Sequence, residues 1–431
     1  MTTETTNPRL AACLSLMKIE KGGYSNIEID ISISRSRLSE DDRALYTALV
    51  YGVTERKITL DWLIDRFGSR RADELDRDAL IPLRLGMYQL YFTDRIPDHA
   101  AVFETVELTK RLCPKHSGAP GYVNAVLRSA LRGRSSPGWP DERTDKAYAL
   151  SIRHSLPKWL TEMWLSDYPD HAAALMEYAN SVPPIGVMTN TLRISRERLI
   201  EKLSGIGIAA EAPDDAPRCL LLGGAAYSDI EPMSGLMRVQ DKASQLACEA
   251  LGAEPGERLL DTCAAPGGKS VYSAVRMENR GEIISCDLHE KKLGLISSAA
   301  ERLGITIIKT RPLDARNFDP SLGAFDRVLC DVPCSGLGAI AKKPEIRYKE
   351  TKDIEALPKT QLSILESCSG YLKPGGRLVY STCTVNRAEN DDIARRFTEK
   401  HGDFEFCLEK TLFPDTDGCD GFYYAIWKRK G

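Results

Sequence analysis

From Met237 to Gly431, short apolar runs that end at an acidic residue or a thiol alternate with helical patterns. This alternation constrains the fold more than any other feature of the chain. It calls for a mostly parallel, doubly wound α/β sheet, because parallel strands are joined through helical crossovers. Arg258-Leu259-Leu260-Asp261-Thr262-Cys263 reads as a strand that runs into Ala264-Ala265-Pro266-Gly267-Gly268-Lys269-Ser270 and then a helix. Gly281 to Cys286 ends at Asp287, and Ile305 to Lys309 leads to Asp314. Phe325 to Cys330 leads to Asp331-Val332-Pro333-Cys334-Ser335-Gly336, and Arg377 to Thr382 ends at Cys383. Pro333 lacks a ladder donor and ends its strand, which leaves Asp331 and Cys334 on the loop at the carboxyl edge. Open α/β sheets bind ligands at that edge.

The glycines at 267 and 268 let a ligand approach the backbone, and the following helix start favours a negative group. A phosphate-binding P-loop would need glycine where Cys263 stands, and the dinucleotide pattern G-x-G-x-x-G is absent. A nucleoside cofactor with a compact charged tail and no pyrophosphate remains, namely S-adenosylmethionine. Asp287 is then expected to accept the ribose hydroxyls and Asp314 to meet the adenine amino group. Cysteines at two strand ends, one beside a carboxylate, suggest thiol chemistry on a bound substrate. Thiols packed as small core hydrophobes are the commoner case.

The 431 residues allow two or three domains, expected at 1–140, 141–235 and 236–431. Apolar residues recur at helical spacing from Pro8 to about Leu131, as in Ala44, Leu45, Leu49, Val50 and Val53, which implies an all-α bundle. Gly133 to Pro140 reads as a linker. Ile185 to Leu192 reads as a strand and Ser195 to Leu203 as a capped helix, giving a small α/β subdomain. The net charge of −3 means that any nucleic acid must be held by local patches. One such patch exists: Leu108 to Pro140 has no acidic residue but carries Lys110, Arg111, Lys115, Arg128, Arg132 and Arg134. Arg128 and Arg132, four apart, share the polar face of a helix and suit a phosphate backbone. Met1 to Thr6 has no signal-peptide character, and no run approaches a membrane span. A cytoplasmic protein with twelve reduced thiols is expected. No metal is expected either, since there is no CxxC pair and none of the six histidines has ligand spacing.

Arg43 to Gly52, Leu85 to Leu90 and Val123 to Arg128 resemble the RNA-binding antitermination factor NusB. Asp261 to Lys269, Asp331 to Gly336 and Ser381-Thr382-Cys383-Thr384 together resemble the Sun/Fmu/NOL1-NOP2 family of RNA 5-methylcytosine methyltransferases, and Asp420 to Ala425 matches as well. The resemblance implies a NusB-like domain joined to a Rossmann-like class I methyltransferase. It implies methyl transfer from S-adenosylmethionine to carbon 5 of a cytosine in 16S rRNA, with RNA as partner and a monomer expected. Cys263, Ala264, Ala265, Pro266, Gly267, Gly268, Lys269, Asp287, Asp314 and Asp331 would then contact the cofactor. Cytosine carbon 5 becomes nucleophilic once a thiolate has added at carbon 6. The residues alone do not say which thiol attacks; the resemblance implies Cys383 as nucleophile and Cys334 for release. A protonated Asp331 would donate to ring nitrogen 3, and Lys269 would favour a thiolate. Transfer RNA as substrate, or a non-catalytic RNA-binding role in ribosome assembly, are the alternatives.

Overall fold

The computed structural model describes residues 6–115, 118–225 and 227–431; residues 1–5, which carry most of the signal-peptide reading, lie outside them. The chain forms two compact units, residues 1–181 with 340–348 and residues 182–339 with 349–431. Among the described residues no helix is long and apolar enough to cross a membrane.

The first unit is helical: α1 (Pro8–Ile19), α2 (Ser25–Arg35), α3 (Glu40–Phe67), α4 (Arg77–Phe92), α5 (Asp98–Leu112) and α6 (Ala119–Gly133), followed by α7 (Lys146–His154), α8 (Lys158–Asp167) and α9 (Ala172–Tyr178). The Ser39 hydroxyl accepts from Asp42 N and caps α3, while Glu40, Asp41 and Asp42 suit the positive end of its dipole. Tyr46, Leu49, Leu60 and Leu63 of α3 enter one core with Leu83, Leu85 and Met87 of α4 and Val123 and Leu127 of α6. Gly52 is required there, since a Cβ would lie 2.0 Å from the Tyr88 ring. In α6 the apolar stripe Val123, Val126, Leu127 and Ala130 is buried, and Arg128 and Arg132 face solvent.

The segment expected to be a linker is packed instead. Trp139 stacks on Trp62 with ring centroids 4.9 Å apart, and Arg66 Nε donates to the Pro137 carbonyl at 3.0 Å. Residues 340–348 belong to this unit although they follow the Pro-Cys loop in sequence. Their anchor is the fully buried Arg347. Its guanidinium donates to the carbonyls of Glu55 (2.8 Å), Ser155 (3.1 Å) and Ala179 (2.7 Å) and to Asn180 Oδ1 (3.2 Å). Ser155 and Ala179 cap the carboxyl ends of α7 and α9, where carbonyls lack helical partners and a cation is favoured.

The second unit opens with β1 (Ile185–Thr189), α10 (Arg196–Ser204), β2 (Ala209–Glu211), β3 (Cys219–Gly223), α11 (Tyr227–Ile230) and β4 (Met237–Val239). These strands form an antiparallel sheet in the order β2-β3-β1-β4. Ser195 caps α10 as expected. The first strand stops at Thr189, earlier than its apolar run, because Asn190 turns the chain and donates to the Gly235 and Leu303 carbonyls.

The larger sheet follows, built from α12 (Lys242–Leu251), β5 (Arg258–Asp261), α13 (Gly268–Arg276), β6 (Glu282–Asp287), α14 (Glu290–Leu303), β7 (Ile308–Pro312), β8 (Phe325–Asp331), α15 (Thr351–Glu355), α16 (Leu357–Ser369), β9 (Leu372–Thr382), α17 (Asp391–Lys400), β10 (Phe404–Leu412), α18 (Pro414–Asp417) and β11 (Phe422–Arg429). Its order is β10-β11-β9-β8-β5-β6-β7. The pairs among β5 to β9 are parallel, and β11 is antiparallel to both β9 and β10, so the sheet is mixed. The third strand begins at Ile308 and not Ile305. Gly304, at φ +74°, closes α14, and Ile305 N still bonds the Ala300 carbonyl. Strand order reverses between β5 and β8, and a crevice at the carboxyl ends of such strands is where ligands bind in open sheets.

Candidate active site

The loops after β5, β8 and β9 meet at this reversal. Beyond Asp331, Val332 N still bonds the Ser381 carbonyl before Pro333 turns the chain away. Cys334 follows on one loop and Cys383 on its neighbour, and their sulfurs lie 3.3 Å apart. Both thiols are half-buried, and none of the twelve cysteines forms a disulfide. Cys334 is pushed well above the usual thiol range, first by its hydrogen bond with Cys383, then by burial and by the charges of Glu389 and Asp331.

Asp331 faces the loop after β5. Lys269 Nζ donates to Asp331 Oδ2 at 2.7 Å and Ser381 Oγ to Oδ1 at 2.8 Å. Both carboxyl oxygens therefore accept hydrogen bonds from neighbouring side chains. Lys269 also reaches Ser244 Oγ at 3.3 Å and sits 5.3 Å from the Phe422 ring centroid. Burial works against its charge, but Asp331 and smaller contributions from Cys248 and Cys383 outweigh that and raise its pKa. The lysine expected to act on a thiol is thus held chiefly by the carboxylate.

The two thiol loops are tied together by Glu389, which is fully buried. It accepts from Ser335 N (2.8 Å), the Ser335 hydroxyl, Gln361 Nε2 (2.8 Å) and Asn386 Nδ2 (3.0 Å). Ser335 Oγ also bonds Thr384 Oγ1 at 2.8 Å, joining the residues that follow Cys334 and Cys383. Beside them Gly338 and Gly421 touch through their backbones; a Cβ at Gly338 would lie 1.7 Å from the Gly421 carbonyl oxygen. Sequence reading did not single out Ser244, Gln361 or Glu389, and it quoted Ser381 only as part of a motif. Each has a partner far away in the chain.

The glycine loop is shaped for close approach. Gly267 holds φ +94°, and α13 begins at Gly268 with no side-chain cap on its first N–H groups. Asp287, at the end of β6, accepts from Ala265 N at 3.3 Å and His289 N at 2.9 Å. Asp314 lies past β7 and is engaged by Arg316 at 2.6 and 2.9 Å, which lowers its pKa. Gln240, only 7% exposed, has no partner for either polar atom of its amide. An open helix start, an acid at the next strand end and an unpartnered amide fit a nucleoside with a charged tail. Cys286 is held at about 12 by burial, and Cys263 and Cys330 are raised well above their ordinary value for the same primary reason, so all three are packing residues.

In the helical unit Lys110 and Arg111 close α5, Lys115 follows it, and Arg128 and Arg132 lie on α6; all five are exposed. Lys110 pairs with Glu107 at 2.6 Å and Arg128 Nε donates to Asn124 Oδ1 at 3.0 Å. A groove of about 880 Å³ between these helices is lined by Phe103, Lys110, Asn124 and Arg128.

Comparison with known proteins decides the family. Residues 248–428 match the family of 16S rRNA methyltransferases RsmB/F, residues 6–132 the NusB family and residues 156–228 the ferredoxin-like domain of RsmF/B-like methyltransferases. The probable ribosomal RNA small subunit methyltransferase B of Bacillus subtilis is 36% identical, with 99% of each chain covered. The chain belongs to the RsmB/F family. Ribosomal RNA small subunit methyltransferase B of Escherichia coli is 31% identical, covering 97% of this chain and 98% of that one. The crystal structure of PH0851 shares the fold of this chain, covering 99% of both chains with a TM-score of 0.82 at 23% identity. NSun6 from Pyrococcus horikoshii with SFG covers 64% of this chain, with a TM-score of 0.58 at 21% identity.

Proposed function

We propose that the protein transfers a methyl group from S-adenosylmethionine to carbon 5 of a cytosine in 16S rRNA, through a covalent cysteine adduct formed in the cytoplasm. The observation that carries this reading is the 3.3 Å separation of the Cys334 and Cys383 sulfurs beside the Lys269–Asp331 pair. The names of the full-length relatives support the substrate, and the residues around Gly267 fit the cofactor. When bound, S-adenosylmethionine supplies an electrophilic methyl group next to the pyrimidine. The Cys263 backbone and the residues Ala264 through Lys269, with Asp287 and Asp314, would hold it, with Asp331 alongside.

Two sulfurs this close cannot both carry a charge, so the pair shares a proton. The family resemblance makes Cys383 the attacking thiolate, and the raised pKa of Cys334 agrees with the proton resting there. A Cys383 thiolate favours the Lys269 charge, and by the same interaction Lys269 favours the thiolate. Cys383 adds to carbon 6, and negative charge builds at ring nitrogen 3, where the Lys269–Asp331 pair supplies a hydrogen-bond donor. Adduct formation turns Cys383 into an uncharged thioether. The leading cause of the raised Cys334 pKa is thereby removed; Cys334 gives up its proton to solvent water, the one net proton the reaction releases, and as a thiolate takes the carbon 5 proton. The ring electrons then expel Cys383 as the carbon 6–sulfur bond breaks.

The target base must leave its stack, which is easiest in a loop or single strand. Lys110, Arg111, Lys115, Arg128 and Arg132 hold RNA through its phosphates. The test is Cys334→Ala, which accumulates a covalent RNA adduct that survives denaturing electrophoresis, whereas Cys383→Ala forms none. Methyl transfer to transfer RNA alone would change the substrate. Transfer to neither RNA by wild type would leave a binding role.

A further inference from the structure

The Gln240 amide lies beside the glycine loop, and the proposed chemistry leaves it unused. Its main chain is fixed: the N–H donates to the Gly186 carbonyl at 2.9 Å, and the carbonyl accepts from Gln245 Nε2 at 3.0 Å. The side-chain amide is buried, and neither Nε2 nor Oε1 has a partner. Buried amides are almost always hydrogen-bonded, so a pair of unmet atoms on one side chain calls for an explanation. Their position is specific. A Cβ built on Gly268 would meet Gln240 Nε2 at 3.7 Å and Cδ at 3.8 Å, which puts the amide against the uncapped start of α13.

We infer that Gln240 binds the amino-acid tail of the cofactor, its amide and the first N–H groups of α13 gripping the carboxylate and ammonium together; this rests on the S-adenosylmethionine reading above. A primary amide sets one donor beside one acceptor. That is the complement of a carboxylate next to an ammonium. The helix start adds N–H groups and a partial positive charge on the carboxylate side. Lys269 is bonded to Asp331 and Ser244, and Arg238 Nη2 donates to the Pro266 carbonyl at 2.9 Å. Gln240 adds a buried amide at this end whose donor and acceptor are both unmet, while Asp287 and Asp314 serve the nucleoside end.

Two ligands separate the tail from the nucleoside: S-adenosylhomocysteine, and 5′-methylthioadenosine, which lacks the amino-acid portion. Calorimetric titration of the full chain is expected to show Gln240→Ala weakening S-adenosylhomocysteine about tenfold or more while leaving methylthioadenosine within about twofold. Gln240→Glu keeps the shape but places a carboxylate against the tail, so the same selective loss is expected and the result stands if the alanine variant fails to fold. An unchanged affinity for S-adenosylhomocysteine overturns the inference. An equal loss for both ligands also overturns it, since the amide would then act through the loop's fold. Wild type binding neither ligand would instead sink the cofactor reading itself.

Discussion

Lys269 Nζ lies 2.7 Å from Asp331 Oδ2 and links the loop after β5 to the end of β8 across the reversal in strand order. The pair is mostly buried, with side-chain exposures of 11% and 29%. Removing one member of such a pair leaves an uncompensated charge and costs roughly 3 kcal/mol or more. Lys269→Met is expected to lower the unfolding midpoint and to reduce methyl transfer by about 10²-fold or more. Lys269→Arg should not restore activity, because a planar guanidinium cannot replace a compact ammonium between Asp331 and Ser244. Chemical unfolding and single-turnover transfer of labelled methyl check both.

Glu389 offers a second test. Its oxygens accept from four donors, so Glu389→Gln turns an amide N–H toward groups that themselves donate. The expected cost is about 2–3 kcal/mol in urea unfolding. The adduct in a Cys334→Ala background should also form more slowly, since the thiol loops lose their common tie. Normal adduct kinetics in the double variant would remove Glu389 from the positioning of Cys383.

Asp261 sets a pH dependence. Burial raises its carboxyl to about 7, against the hydrogen bond from Ser270, with the Asp331 charge adding to the rise. A carboxyl whose folded pKa lies above its unfolded value of about 3.9 binds its proton more tightly when folded. It therefore costs nothing below the unfolded value and destabilises progressively as pH rises to about 7. The melting temperature of Asp261→Asn relative to wild type should climb between about pH 4 and pH 7 and then level off. A difference that stays flat across that interval would contradict the assignment.

Two glycines predict opposite outcomes. Gly338→Ala drives a Cβ into the Gly421 carbonyl and should abolish folding of the second unit or cost roughly 3 kcal/mol. Gly294, on the exposed face of α14, has open space around it, and Gly294→Ala should stabilise by about 0.5–1 kcal/mol. Differential scanning calorimetry of the pair reads both signs.

RNA affinity should carry the signature of phosphate contacts. Arg128→Ala and Arg132→Ala are each expected to reduce the slope of log affinity against log salt by about one. Fluorescence anisotropy with a 16S fragment at several salt concentrations measures it, and an unchanged slope would place the RNA elsewhere.

The strand ends at Asp331 and Thr382 were legible because apolar runs broken by Pro333, or stopped at a thiol, have few other readings. The helical third was legible from its period. Less visible was whatever depends on distant partners. Of the four donors to Glu389, only Asn386 is near it in sequence; the other three come from Ser335 and Gln361. Lys269 reads as a cation beside a thiol until Asp331 is found facing it. Gly304 closes α14 in a left-handed turn and β7 starts three residues after Ile305, a boundary that local apolarity at Ile305 masks. Trp139 converts an apparent linker into a packed segment through one aromatic partner, Trp62.

Arg347 has a bearing on how the molecule is made. The carbonyls it satisfies at Glu55, Ser155 and Ala179 emerge from the ribosome long before it does. Until residue 347 has been synthesised, the ends of α7 and α9 wait for a cap that only the later polypeptide can provide. A nascent chain stopped at residue 181 would hold α1 to α9 but lack Arg347, leaving those carbonyls to water until translation is well into the methyltransferase half.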